Sequence, residues 1–103
     1  MKTAPYHLFF LALANEARMS IIHSLRKGPK SVNEITKAVG LQQSHVSHHL
    51  KCLTFCGFVK NNREGKKRIY SLNEKTVNLL LKIADRHMER YAKQLRTCEV
   101  LEY

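Results

Sequence analysis

Three cysteines, one run of polar side chains and one dense group of cations are the residues of this chain best equipped for chemistry. Cys52 and Cys56 stand four apart, so a helix would carry both thiols on one face, and Cys98 follows near the end. Thiols of this kind hold soft metal ions, change redox state or simply pack. An odd cysteine count without framework spacing argues against structural disulfides. Just before the first thiol, Gln43, Ser44, His45, Ser47, His48 and Lys51 offer short or flexible hydrogen-bonding groups. Just after the second, Lys60, Arg63, Lys66, Lys67 and Arg68 gather five cations that repel one another unless phosphates lie nearby.

The totals point the same way. The 103 residues carry 18 Lys and Arg against 8 Asp and Glu, a net charge of +10. Such an excess calls for a polyanion, and nucleic acid is the leading one. Hydrophobic content of 44% is ordinary for a globular chain. One domain of this size makes a modest core, so an oligomer is expected. No apolar run approaches the roughly 18 residues of a membrane span. The apolar run from Leu8 to Ala14 has a single lysine before it and continues into a segment with Asn15, Glu16 and Arg18. It reads as helix rather than leader, which predicts a cytoplasmic protein with reduced cysteines.

The elements that must position these groups follow from spacing. Pro5 suits a first helical turn, and Leu8, Phe9, Leu11, Ala12 and Leu13 do not alternate as a strand would. Asn15 offers an N-cap to a helix with Ala17, Ile21, Ile22 and Leu25 inward, stopped by Gly28 and Pro29. Ser31 to Glu34 spells a capping box for a helix burying Val32, Ile35 and Val39. A turn at Gly40 and Leu41 leads to a helix with Val46, Leu50 and Leu53 inward. Two short helices joined by a glycine turn are the helix-turn-helix pattern. Phe58 to Arg63 reads as a strand, Glu64-Gly65 as the turn region and Lys67 to Leu72 as the return strand, with Asn73 capping the next helix. Val77, Leu80, Leu81, Ala84, Met88, Tyr91 and Leu95 then mark one face of a long amphipathic helix.

The expected fold is therefore mainly α with a small β-hairpin wing, a winged helix-turn-helix. It is one domain with a dimerisation helix in 1–14, a helical core in 15–57, the wing in 58–72 and a dimerisation helix with tail in 73–103. Nothing else in the chain covers the apolar face of the last helix, so a homodimer through the first and last helices is its natural cover. Gln43, Ser44, Ser47, His48 and Lys51 fall on or beside the outer face of the second helix of the motif, the one that reads DNA. Gln43 suits adenine, the serines approach bases or phosphates, and His45, His48 and Lys51 suit phosphates. The wing cations would track the backbone or enter the minor groove. A dimer would set two such helices about 34 Å apart on an inverted repeat of double-stranded operator DNA.

The residues from Leu11 to Leu72, above all QSHVSHHLKCLTFCGFV followed by EGKKRIYSL, resemble the ArsR/SmtB family of metal-responsive bacterial and archaeal repressors. The resemblance implies winged-helix homodimers that leave an operator when an inducer binds. The Cys-x-Cys of the arsenic and cadmium members would fall in Val32 to Ala38, which has no cysteine. The zinc site of other members falls on Glu74, Thr76, His87 and Arg90, of which Glu74 and His87 alone are metal-binding types. The cadmium- and lead-sensing branch carries HL-x-CL-x-x-CG in the recognition helix and a further cysteine near the C-terminus. HLKCLTFCG matches it, which implies Cys52, Cys56 and Cys98 as thiolate ligands for Cd(II), Pb(II) or As(III).

Two other readings stay open. The thiols can form a redox switch, or they can be inert packing in a constitutive DNA-binding protein. His7, His23 and His87 read as structural or solvated. No phosphate loop, nucleophile elbow or paired carboxylates in a recognisable setting support an enzyme. Activator and repressor are not distinguished by these residues.

Overall fold

The structure, a computed structural model, describes residues 4–101, so residues 1–3 and 102–103 of the expected end segments lie outside it. The chain divides into two compact units, one ending at Asn73 and one beginning at Glu74. The first holds helices α1 (Ala4–Leu13), α2 (Glu16–Arg26), α3 (Val32–Val39) and α4 (Gln43–Phe55) and strands β1 (Lys30–Ser31), β2 (Val59–Glu64) and β3 (Lys67–Leu72). The second holds α5 (Val77–Thr97).

Each helix of the first unit ends for a local reason. Asn15 accepts from the Arg18 amide at 2.9 Å and caps α2. The Arg18 side chain turns back to α1, its Nε donating to the Ala12 carbonyl at 2.6 Å, which occupies an otherwise orphaned acceptor. The Ser31–Glu34 capping box forms in both directions, at 2.9 and 3.3 Å. Those bonds from Ser31 hold the Glu34 carboxyl below its usual range, with Lys67 and Lys30 adding to the effect. Gly40 closes α3 at φ 72°, a left-handed conformation in which a side chain would be strained.

The core of this unit holds most of the residues expected to face inward, although Ala17 is only half-buried. Ile21, Ile22, Ile35, Val46 and Leu53 are fully buried, joined by Leu25, Leu50, Phe58, Val59 and Leu72. Val32 and Val39 are half-buried rather than inside, leaving Ile35 as the buried anchor of α3. Phe9 of α1 meets Phe58 with ring centroids 5.2 Å apart, tying the first helix to the base of the wing.

Three features of the wing depart from expectation. It is a three-stranded antiparallel sheet in the order β1-β3-β2, because Lys30 and Ser31 pair with Tyr70 and Ile69. A two-residue strand has no alternation for a sequence pattern to show. The hairpin turn is Gly65-Lys66, since Glu64 still pairs with Lys67 inside the ladder. Gly65 has φ 63° and Lys66 does not have positive φ, placing glycine where a type II′ turn needs it. Asn73 does not cap α5. Its side-chain amide donates to the Gly57 carbonyl at 3.0 Å and its backbone amide to Phe58, closing the base of the hairpin. Thr76 occupies the N-cap of α5 without a side-chain capping bond.

In the second unit Val77 and Leu81 are buried, while Leu79, Ile83, Met88, Tyr91 and Leu95 are exposed. On α1, Tyr6, Leu8, Phe10 and Leu11 are exposed as well. Among the described residues no helix is long and apolar enough to cross a membrane.

Candidate nucleic-acid interface

Helix α4 presents three different stripes, and each follows from helical spacing. Val46, Leu50 and Leu53 face the core. Gln43, Ser44, Ser47, His48 and Lys51 are all exposed. Ser44, Ser47, His48 and Lys51 line an open groove of about 670 Å³ with Thr54, Phe55, Asn61, Arg68 and Tyr70. The groove lies between α4 and the wing, so helix and hairpin cations share one concave surface. Gln43 lines a neighbouring groove with Lys37, Lys67 and Arg68. Gln42, the N-cap, makes no side-chain capping bond, and the first turn of α4 carries no acidic residue. That end of the helix therefore keeps its favourable polarity for anions.

The strand register sorts the wing cations. Side chains alternate across a sheet, and Asn61 pairs with Tyr70 while Arg63 pairs with Arg68. Those four side chains share the face that continues from the buried Val59 and Leu72. Lys60, paired with Ser71, and Lys67, paired with Glu64, lie on the other face. Lys66 is in the turn. All five cations are exposed, as expected, but they form two sets rather than one. The directly opposed Arg63 and Arg68 are a like-charge pair, an unfavourable arrangement unless an anion joins it.

The third stripe of α4 holds His45, His49, Cys52 and Cys56, separated by four, three and four residues. His45 is exposed, but it does not line the groove shared by His48 and Lys51. Its ring lies 6.2 Å from that of His49. His49 is half-buried and its Nδ1 has no hydrogen-bond partner. Burial holds its imidazole below the ordinary value, with the charges of Arg18, His48 and His45 adding to the effect. His45 and His49 thus lie on a different stripe of the helix from His48.

Cys56 is the C-cap residue of α4, and its amide donates to the Cys52 carbonyl at 2.9 Å. Cys52 is half-buried and Cys56 exposed, and both are free thiols. Partial desolvation pushes the Cys56 thiol up, Cys52 adds to this by its charge and a thiol hydrogen bond, and Arg18 opposes it. The two thiols therefore lie within hydrogen-bonding reach of each other. Cys98 is the C-cap residue of α5, in the second unit. Among the described residues no three His, Cys, Asp or Glu side chains form a group able to hold a metal ion.

Sequence reasoning missed Asn61, Phe55 and Tyr70 as groove residues. Asn61 carried a usable signal, because the hairpin register puts it diagonally across from Arg68. Phe55, 92% exposed, had none: an aromatic residue within an apolar-spaced helix reads as core.

Comparison with known proteins agrees with this geometry. Residues 15–61 match the model of the arsR family of bacterial regulatory proteins. The chain is 41% identical over 78 residues to the transcriptional regulator NmtR of Mycobacterium tuberculosis, covering 76% of this chain and 65% of that one. It is 37% identical to the probable mercury resistance operon repressor of Streptomyces lividans, covering 74% and 61%. The match thus spans less than two thirds of both relatives. It is 34% identical to the arsenical resistance operon repressor of Bacillus subtilis, covering 74% and 73%. Among solved structures, Rv0081 of M. tuberculosis superposes with a TM-score of 0.79 at 32% identity, over 91% of this chain and 98% of that one. The homodimeric winged helix-turn-helix domain of Mb0332 from Mycobacterium bovis gives 0.65 at 33% identity, over 76% of each chain. On its sequence, its fold and the surface shared by its fourth helix and wing, the chain belongs to the arsR family of bacterial regulatory proteins.

Proposed function

We propose that the chain is a homodimeric transcriptional repressor that binds double-stranded operator DNA and is released when a soft metal or metalloid ion binds cysteine thiolates. The observation that carries the first half is the single groove in which Ser44, Ser47, His48 and Lys51 of α4 face Arg68 of the wing. Polar groups able to reach base edges lie beside a cation able to hold a phosphate, which is the division of labour of DNA recognition. The exposed apolar residues of α1 and α5 support a second copy as their cover, and two copies set two α4 helices on an inverted repeat.

The second half rests on the thiol pair. Cys52 and Cys56 already touch and supply two sulfur donors from the helix that reads DNA. Cys98 is the third donor proposed. Three thiolates suit Cd(II), Pb(II) or As(III), and two relatives are named for mercury and arsenical resistance operons. A bound ion shifts the population away from the DNA-competent form only if it binds the other form more tightly. The raised Cys56 thiol makes ion binding release protons, and it disfavours ready oxidation, which runs through thiolates.

The test is binding of the reduced protein to an inverted-repeat promoter fragment from its own locus, with Cd(II), Pb(II), Hg(II) and arsenite titrated without oxygen. Release at one ion per subunit, lost in Cys98→Ser, is the expected result. Tight binding that ignores every ion refutes the sensor and leaves oxidants, or no inducer, to be tried.

A further inference from the structure

The opposed arginines of the wing lead to a residue with no role so far. Arg63 and Arg68 sit directly across from each other, yet their guanidinium groups are drawn in opposite directions. Arg63 donates from Nε to the Gly65 carbonyl at 3.3 Å, toward the hairpin tip. Arg68 donates from Nη1 to the side-chain oxygen of Asn61 at 2.7 Å, toward the hairpin base. Asn61 is paired with Tyr70, two residues beyond Arg68 on the same face, so the bond is a diagonal cross-strand contact. Asn61 and Arg68 both line the groove against α4, with Ser47 and Lys51 opposite.

The chemistry of the pair is specific. An asparagine oxygen accepts a hydrogen bond without neutralising the cation, as a carboxylate would. A guanidinium has five donors in a rigid fork, and one bond to Asn61 leaves the others able to meet a phosphate bidentately. Among the described residues the partner of Arg68 is this neutral amide and not an acid. The side chain is exposed and long, so without a tether it would lose considerable freedom on binding.

We propose that Asn61 is a positioning residue for DNA binding: it holds the Arg68 guanidinium in the groove between α4 and the wing, ready for a backbone phosphate of the strand that passes there. The proposal rests on the reading of this groove as a duplex-DNA surface. It differs from that reading in assigning Arg68 a fixed site beside the recognition helix, rather than a loose place among wing cations, and in giving a neutral residue a part in affinity.

The experiment is a double-mutant cycle by fluorescence anisotropy, using the full chain, the promoter fragment and two unrelated duplexes across a salt series. Asn61→Val keeps a strand-forming side chain and removes the acceptor; thermal melting confirms that each variant folds. Arg68→Ala should lower the salt slope by about 0.9 per subunit. Asn61→Val should leave the slope unchanged and weaken binding about three- to tenfold per subunit, equally on all duplexes. In the Arg68→Ala background the same change should cost less than twofold, because there is nothing left to position. An equal loss in both backgrounds assigns Asn61 a structural role or a contact of its own and overturns the proposal. So does a loss confined to one sequence, which would mean base reading. Unchanged affinity in Asn61→Val overturns it while leaving the DNA surface intact; a wild-type chain that binds no duplex at all removes both.

Discussion

Alternation along the hairpin divides cations that composition treats alike, and the division is measurable as salt dependence. Lys51 lines the groove from α4, whereas Lys60 lies on the wing face turned away from it. Each cation that neutralises a phosphate adds about 0.9 to the slope of log affinity against log salt. Lys51→Ala removes one contact per subunit, hence about 1.8 from the slope of a dimer. Over a fourfold rise in salt, from about 50 to about 200 mM, the variant should lose about twelvefold less affinity than the wild type. Lys60→Ala should change the slope by less than half as much, since its side chain does not face the strand held in the groove. The assay is anisotropy on a labelled duplex at five salt concentrations, with helicity checked by circular dichroism. A Lys60→Ala slope change equal to or larger than that of Lys51→Ala would mean that DNA meets the other wing face, and the register argument would fail.

Further outcomes come from individual contacts. Ser31→Ala removes the acceptor of the Glu34 amide and should cost about 1 kcal/mol in urea unfolding at unchanged m-value. Ile35→Ala, at a position with 0% exposure, should cost about 2–5 kcal/mol, and a loss under 1 kcal/mol would contradict its place as the anchor of α3. The folded His49 titrates below its ordinary 6.5, so the unfolded chain takes up the proton first. Its contribution to stability is complete above that value and is lost as pH falls through the folded one; His49→Leu should flatten this acid limb of the melting temperature. Because the Cys56 thiol is raised, Cd(II) binding should tighten from pH 7 to pH 8 with proton release, and Cys56→Ser should weaken both effects.

How much of this was legible in the sequence depends on the range of the interaction concerned. The caps at Asn15 and Ser31 are local, and their residues announce them three positions ahead. The core stripe of α4 is periodic, so Val46, Leu50 and Leu53 were readable as inward. The third strand was not, because Lys30 and Ser31 take their pairing from Tyr70 and Ile69 some forty residues away. Asn73 misleads for a related reason: an asparagine ahead of an apolar stripe looks like a cap, but Gly57 offers its side chain a carbonyl from across the hairpin base. Of the groove residues of α4, Ser44, Ser47, His48 and Lys51 could be named from helical spacing alone, and Phe55 could not. Their counterparts Asn61 and Tyr70 required the hairpin register, which shifts by two residues with the choice between Glu64-Gly65 and Gly65-Lys66 as the turn, moving the partner of Asn61 from Arg68 to Tyr70.

The same spacing bears on how a sensor could act on a reader. In the proposed function both lie on α4, on stripes separated by the core stripe of Val46, Leu50 and Leu53. A helix held along one buried stripe responds to a force on its flank as a body, moving the opposite flank with it. An ion drawing Cys52 and Cys56 toward a third thiolate therefore moves Ser44, Ser47 and Lys51 without passing through any intermediate element. The groove against the wing should amplify the effect, because Asn61 and Arg68 belong to the sheet rather than to α4. Misalignment of helix and wing on one DNA strand costs affinity on both, whereas movement of either alone with its partner would cost little. Release should thus be weaker in Arg68→Ala, whose wing has already lost its fixed phosphate contact: the affinity ratio between ion-free and ion-bound protein should shrink. A ratio equal to that of the wild type would mean that the ion acts elsewhere, on the subunit interface rather than on the alignment of α4 with the wing.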